Sequence, residues 1–185
     1  MLPVTLSTIL YPFAKRPIFR RLQIYPQYLL GFTLAYPSLI GVLAINGHSQ
    51  SLSASITQSL PMFVTVFTWT LYLNTAYSYQ DIVDDQKMNV NSAYVLAGSY
   101  IHHLLVVLAV LVLGAVGWQL YGGQGSRWLW GGWMGVWVWS FLGQLVRFDK
   151  SRPESGGALH RENFALGVWT VFVCVVELLL GGDGC

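Results

Sequence analysis

Asp81, Asp84 and Asp85 follow directly on a stretch from Leu22 to Gln80 that holds no Asp, Glu, Lys or Arg. If the chain is helical there, Asp81 and Asp85 share one face at a spacing of four, with Asp84 beside them at a spacing of three. Crowded carboxylates repel one another, and a bound cation relieves the repulsion. A hard divalent ion such as Mg²⁺ is held by one or two carboxylates together with the phosphate oxygens of a substrate. The pattern therefore points to a site for Mg²⁺ and a diphosphate. The rival reading is a solvated acidic loop at a helix end with Lys87 as its counter-ion, and chemistry alone leaves both open. Lys15, Arg16, Arg20 and Arg21 form a basic cluster that could neutralise the outer oxygens of a diphosphate, arginine in a bidentate manner. The same four residues would equally serve as the positive anchor of a membrane helix.

The elements that must position these groups are set by composition. Of 185 residues 54% are hydrophobic and only 10% are charged, and the mean hydropathy is +0.51, against about 25% charged residues in soluble domains. Such a chain is expected to be an integral, multi-pass protein of the lipid bilayer. A net charge of +2, without extended Lys/Arg clusters, excludes a nucleic-acid partner. Two cysteines, Cys174 and Cys185, have neither the number nor the spacing for a zinc site or a disulfide framework. Residues 1–11 lack a basic n-region and a small-residue cleavage site and do not read as a signal peptide.

A spanning helix needs about 20 apolar residues and satisfies its own backbone hydrogen bonds. The expected fold class is all-α, a transmembrane helical bundle with about five complete spans plus a partial N-terminal one, residues 1–185 forming a single membrane domain. The spans fall at about residues 26–45, 60–79, 100–120, 128–146 and 164–180. Asn46-Gly47-His48 and the Ser-rich stretch to Ser59 separate the first two spans, Pro61 sits in the first turn of the second, and residues 147–163 are polar connector. Residues 1–12 are apolar but half the length of a span, and read as the tail of a longer helix or as an interfacial segment.

If the spans alternate, nine of the ten basic residues lie on one side, in the connectors 11–25, 81–99 and 147–163, and only Arg127 lies on the other. That is a positive-inside signal, which puts the aspartates and the basic cluster together on the cytosolic or equivalent face. His102 and His103, being adjacent, point in different directions and are read as interfacial packing. Glu177 late in the last span is left unassigned. Trp69, Tyr72, Tyr77 and Tyr79 approach the aspartates from the membrane side, where aromatic faces could stabilise a carbocation or simply form the interfacial belt.

Taken in order, Tyr11-Pro12-Phe13-Ala14-Lys15-Arg16, Pro26-Gln27, Leu30-Gly31, Tyr79-Gln80-Asp81 with Asp84-Asp85 and Lys87, Ser92, Gly98, Glu162-Asn163-Phe164 and Leu166-Gly167-Val168-Trp169 resemble the UbiA superfamily of intramembrane aromatic prenyltransferases. The likeness is to 4-hydroxybenzoate polyprenyltransferase, and especially to the fungal members that prenylate aromatic polyketides in meroterpenoid biosynthesis. The resemblance implies a bundle of nine membrane helices around a cavity, with two Asp-rich motifs that hold Mg²⁺ and the diphosphate of an isoprenoid donor. This chain matches the later part of that pattern, and no Asn-Asp pair of the first Asp-rich motif occurs in it.

By the same resemblance Asp81 and Asp85 are the ends of the second motif and Asp84 lies inside it. Lys15 and Arg16 match the basic pair near the diphosphate, and Arg20, Arg21 and Lys87 match less well. The implied reaction is transfer of an isoprenyl group from a prenyl diphosphate, farnesyl or longer, to a phenolic acceptor, Asp84 helping to remove the proton. The alternative expectation is a truncated, non-catalytic relative that depends on a protein partner or on missing N-terminal helices. A small transporter fits less well, because Glu177 is the only ionisable residue near mid-membrane.

Overall fold

The computed structural model of the protein describes residues 2–46 and 49–181. Among them there is helix and connector and no strand. The expected turn residues Gly47 and His48, and also Cys185, lie outside the described residues. In chain order the helices are α1 (Leu2–Ala14), α2 (Pro17–Arg21), α3 (Pro26–Asn46), α4 (Leu52–Ser78), α5 (Ile82–Lys87), α6 (Ala93–Ala97), α7 (Ile101–Gly122), α8 (Arg127–Leu129), α9 (Val136–Arg147) and α10 (Glu154–Gly181). Three helices, Pro26–Asn46, Gly98–Gly122 and Glu154–Leu180, are long and apolar enough to cross a membrane. The protein is an all-helical integral membrane protein. Its core joins α4, α7, α9 and α10 through side chains such as Tyr72, Leu105, Val112, Trp137, Phe141 and Val173.

Several boundaries differ from those expected, each for a local reason. The second long helix starts at Leu52 rather than near residue 60, because the Ser51 hydroxyl accepts from the Ala54 N–H at 3.2 Å and caps it. The Ser-rich stretch is therefore helix, with Ser55 and Ser59 buried, and Pro61 lies inside the helix rather than in its first turn. The last helix begins at Glu154, so half of the expected polar connector is its first turns. The fourth expected span is a composite of α8, a π-helical turn at Trp130–Gly135 and α9. Residues 2–12 belong to a 13-residue helix, α1, which runs on to Ala14.

Polar side chains tie the bundle together where the lipid offers no competing partner. Gln144 Oε1 accepts from the Tyr72 hydroxyl at 3.0 Å and from Asn163 Nδ2 at 2.7 Å. Asn163 Oδ1 in turn accepts from Trp69 Nε1 at 2.8 Å. Gln144 and Asn163 are buried, and the chain of bonds links α4, α9 and α10. At the other end of α10, Glu177 accepts from the Ser126 hydroxyl at 2.7 Å. His102 stacks on Phe148 and His103 meets Tyr100 edge-on, in aromatic packing.

Three helix ends share one device. Gln23, Asn89 and Gln124 have φ of 54°, 52° and 50°. Each sits in a turn where the following N–H reaches five residues back: Ile24 to Phe19 O, Val90 to Asp85 O and Gly125 to Leu120 O. This is the Schellman arrangement, which favours glycine because a Cβ is disfavoured in the left-handed region. Gln124→Gly, at the end of α7, is expected to stabilise the fold by about 1 kcal/mol, read as a higher melting temperature in detergent with substrate turnover unchanged.

Candidate active site

The acidic segment is not one continuous helix. α4 ends at Ser78, a 3-10 turn covers Tyr79–Asp81, and α5 restarts at Ile82. The break comes where α10 packs closely: a Cβ on Gly156 would run into the Ala76 carbonyl oxygen, and one on Gly157 into the Gln80 side chain. After α5 the left-handed Asn89 turns the chain back, and residues 90–92 run beneath the connector that follows α1.

These elements enclose a cavity of about 320 Å³. Asp81, Asp85 and Lys15 line its charged part, with Asn91 and Ser92 beside them, and Gln27, Asn74, Tyr77 and Ser78 are the polar wall contributed by α3 and α4. Pro26 and Leu30 supply apolar wall. The Lys15 ammonium stands 5.4 Å from the centre of the Tyr11 ring, which lines the same cavity. Asn74 precedes Asp81 by two helical turns, so the wall descends about 10 Å from the carboxylates along α4.

Two expected site residues lie elsewhere. Asp84 does not join Asp81 and Asp85. Its side chain is 75% exposed and pairs with Lys87 at 3.4 Å, because adjacent residues of α5 point about 100° apart and turning Asp85 to the cavity leaves Asp84 on the solvent side. The Arg16 guanidinium rests over the Phe13 ring at 5.5 Å and does not line the cavity. Arg20 is tied down instead, donating from Nη2 to Val90 O at 3.1 Å. Among the four aromatic residues expected near the aspartates, only Tyr77 reaches the cavity. Trp69 and Tyr72 serve the buried network, and the Tyr79 hydroxyl donates to Lys150 O at 2.9 Å.

Tyr94 and Asn91 carry no sequence signal of their own, and Gln27 enters the sequence reading only within the Pro26-Gln27 pair. Tyr94 is 1% exposed. Burial above all, together with the Asp85 and Asp81 carboxylates, raises its phenol above the ordinary range, while the Ser92 hydroxyl partly offsets this. It is therefore a neutral phenol throughout the physiological range, and its buried hydroxyl has no hydrogen-bond partner among the described residues. Asn91 is fully buried and Gln27 nearly so; Gln27 Oε1 accepts from the Ala93 N–H at 3.3 Å. An Asn in a connector and a Gln in the first turn of a helix carry no periodicity, so only the folded chain reveals these contacts.

Outside the cavity, the Asp149 carboxyl is held below its usual range, mainly by the Ser151 hydroxyl and N–H at 2.7 and 2.8 Å, with Arg152 adding attraction. A depressed carboxyl stabilises the fold above its unfolded pKa and loses that contribution as pH falls through its folded value. The 149–152 turn is accordingly expected to loosen only below about pH 4, seen as faster amide exchange of Ser151.

Among the described residues no three carboxylate, imidazole or thiol groups stand together as a closed metal cage. The donor set is instead two carboxylates on one wall of an open cavity with an ammonium alongside. That suits an ion which takes part of its coordination from substrate phosphate, and does not suit a tetrahedral structural metal.

The cavity thus sits at one end of the long helices of an all-helical membrane bundle. The model of the UbiA prenyltransferase family matches residues 1–175, and the chain belongs to that family. It is 90% identical over 187 residues to polyprenyl transferase cle5 of Aspergillus versicolor, an alignment covering 100% of this chain and 58% of the relative. Polyprenyl transferase esdpC of Penicillium shearii is 65% identical over 180 residues, covering 97% of this chain and 55% of the relative. Polyprenyl transferase spyF of Aspergillus fumigatus is 65% identical over 178 residues, covering 96% and 52%. The chain thus spans little more than half the length of these curated relatives. No solved structure matches it.

Proposed function

We propose that this chain carries the second half of a prenyltransferase site. There an isoprenyl group passes from a prenyl diphosphate, farnesyl or longer, to a phenolic acceptor in a quinone or meroterpenoid pathway. The observation that carries the reading is the convergence of Asp81, Asp85 and Lys15 on one cavity at the ends of apolar helices, in a chain of the UbiA family. The names of its relatives, polyprenyl transferases, favour the same chemistry.

Asp81 and Asp85 are the residues that would hold Mg²⁺. When bound, the metal supplies Lewis-acid stabilisation of the diphosphate as its bond to the allylic carbon breaks. Lys15 places a positive charge against the outer phosphate oxygens, a charge that grows in value as the leaving group gains its own. Pro26, Leu30 and Tyr77 line the approach for the isoprenoid and keep water from the allylic cation. The phenolic ring forms the new C–C bond, and the proton on the attacked carbon departs to a carboxylate of the cavity. Asp84 and Arg16, both outside the cavity wall, contribute charge to the rim rather than direct contacts.

Residues 1–185 act as one membrane domain with the site on its positive-inside face, and its helices cross the bilayer several times. Membranes carrying the protein, incubated with Mg²⁺, farnesyl diphosphate and a panel of phenolic acids, should release pyrophosphate and form a prenylated phenol, and chelation with EDTA should stop both. Product formation that persists in EDTA would reject the metal role. Asp84→Asn tests the division among the carboxylates: turnover should remain near that of the unsubstituted protein, the lost Asp84–Lys87 pair being worth under about 1 kcal/mol.

A further inference from the structure

The two halves of the cavity's charge come from separate connectors, and one side chain joins them. Lys15 lies in the connector that runs from Ala14 through α2 to Ile24; Asp81 and Asp85 belong to the segment that continues through Asn89 to Ser92. Asn91 Nδ2 donates both its hydrogens to the first connector, to Ala14 O and to Ile24 O, each at 2.8 Å. Its own backbone N–H donates to Lys15 O, again at 2.8 Å. Ala14 and Ile24 are the two ends of the loop that carries Lys15, Arg16, Arg20 and Arg21. One amide therefore closes that loop and fastens it to the acidic segment. Asn91 is 0% exposed, lines the cavity, and has no partner for Oδ1.

We infer that Asn91 is a positioning residue, the clasp that sets the separation between the Lys15 ammonium and the Asp81 and Asp85 carboxylates. The residue type is dictated by the geometry. Two carbonyl oxygens facing one side chain demand two N–H donors on a single short stem, which asparagine supplies. Aspartate, of the same shape, would turn an acceptor toward two acceptors, and alanine would leave both buried carbonyls without their bonds. The Arg20 bond to Val90 O and the Gln27 bond to the Ala93 N–H flank the clasp but hold only single points, so they cannot close the loop in its place. The inference rests on the diphosphate reading of the cavity for its catalytic consequence, not for the clasp itself.

The test compares the protein with Asn91→Asp and, should that variant fold poorly, Asn91→Ala. Spin labels go on Ile18→Cys and Gln86→Cys, both exposed and outside the cavity wall, in a Cys174→Ser, Cys185→Ser background. The unsubstituted protein should give a narrow distance distribution and the variants a broad one, with helix content by circular dichroism unchanged. In parallel, kcat/KM for farnesyl diphosphate should fall roughly ten- to hundred-fold, the order that small misplacements at a site produce, with kcat at saturation bearing most of the loss because the Lys15 charge counts for more as the leaving group ionises. A distribution as narrow as that of the parent overturns the clasp. A broadened distribution with kcat and kcat/KM both unchanged overturns the positioning role. If the parent itself shows no turnover while the variants broaden the distribution, the clasp stands and the prenyl-transfer reading falls.

Discussion

Asp81→Asn is expected to lower Mg²⁺-dependent prenyl transfer by roughly 10²–10³-fold, the cost of removing one preorganised electrostatic partner from a developing charge, about 2.7–4 kcal/mol. The substitution keeps the size of the side chain and removes only its charge. Asp81 ends the 3-10 turn and makes no ion pair among the described residues, so the fold does not depend on its carboxylate. Stability should therefore hold while turnover collapses, and Asp85→Asn should behave alike because it shares the cavity wall. The decisive comparison is with Asp84→Asn, one residue away yet facing solvent. Radiolabelled farnesyl transfer under saturating acceptor would separate them. Equal losses in all three variants would mean that the acidic segment acts through bulk charge, and the separate placement of Asp84 would have no functional meaning.

The second large effect concerns a residue with no chemistry of its own. Gly156→Ala should destabilise the protein by several kcal/mol, at the upper end of overpacking costs of about 1–3 kcal/mol or beyond. The added methyl meets the Ala76 backbone carbonyl, which cannot rotate away as a flexible side chain would. Relief requires α10 to move off α4 where α4 gives way to the 3-10 turn bearing Gln80 and Asp81. A lower melting temperature together with weaker Mg²⁺-dependent turnover is the expected pair of results. Gly114→Ala is a suitable control, since nothing lies near its Cβ position. A Gly156→Ala protein as stable as the parent would show that the two helices can separate at no cost.

What the sequence made legible and what it hid divide along physical lines. Long apolar runs announce helices because hydrocarbon leaves the backbone no other way to satisfy its hydrogen bonds, and α3, α7 and the apolar part of α10 fall where hydropathy puts them. Hydropathy fails at helix ends that lie beyond the lipid. The polar starts of α4 at Leu52 and α10 at Glu154 are made by capping and by packing between helices, and neither leaves an apolar trace. At the site, the spacing of Asp81 and Asp85 was readable, but the side on which Asp84 falls was not, because on a helical wheel it lies about 60° from Asp81 and about 100° from Asp85, and only tertiary packing decides which face is covered. Arg16 and Arg20 cannot be told apart by type. Only the tertiary contact with Val90 shows which of them is anchored.

The linked amides of Gln144 and Asn163, with the Tyr72 hydroxyl and Trp69 indole, have a consequence for how this bundle tolerates its surroundings. Lipid tails pack equally well against any apolar helix face, so van der Waals contact alone would let α10 turn or slide against its neighbours. The four groups act as a combination lock. Each bond is modest, about 0.6 kcal/mol on average for such contacts in membranes, yet a turn of α10 by a single residue would break both bonds of Asn163 to those neighbours at once. Registry is thereby written into the protein rather than borrowed from bilayer thickness, and it should survive transfer into detergent micelles of quite different size.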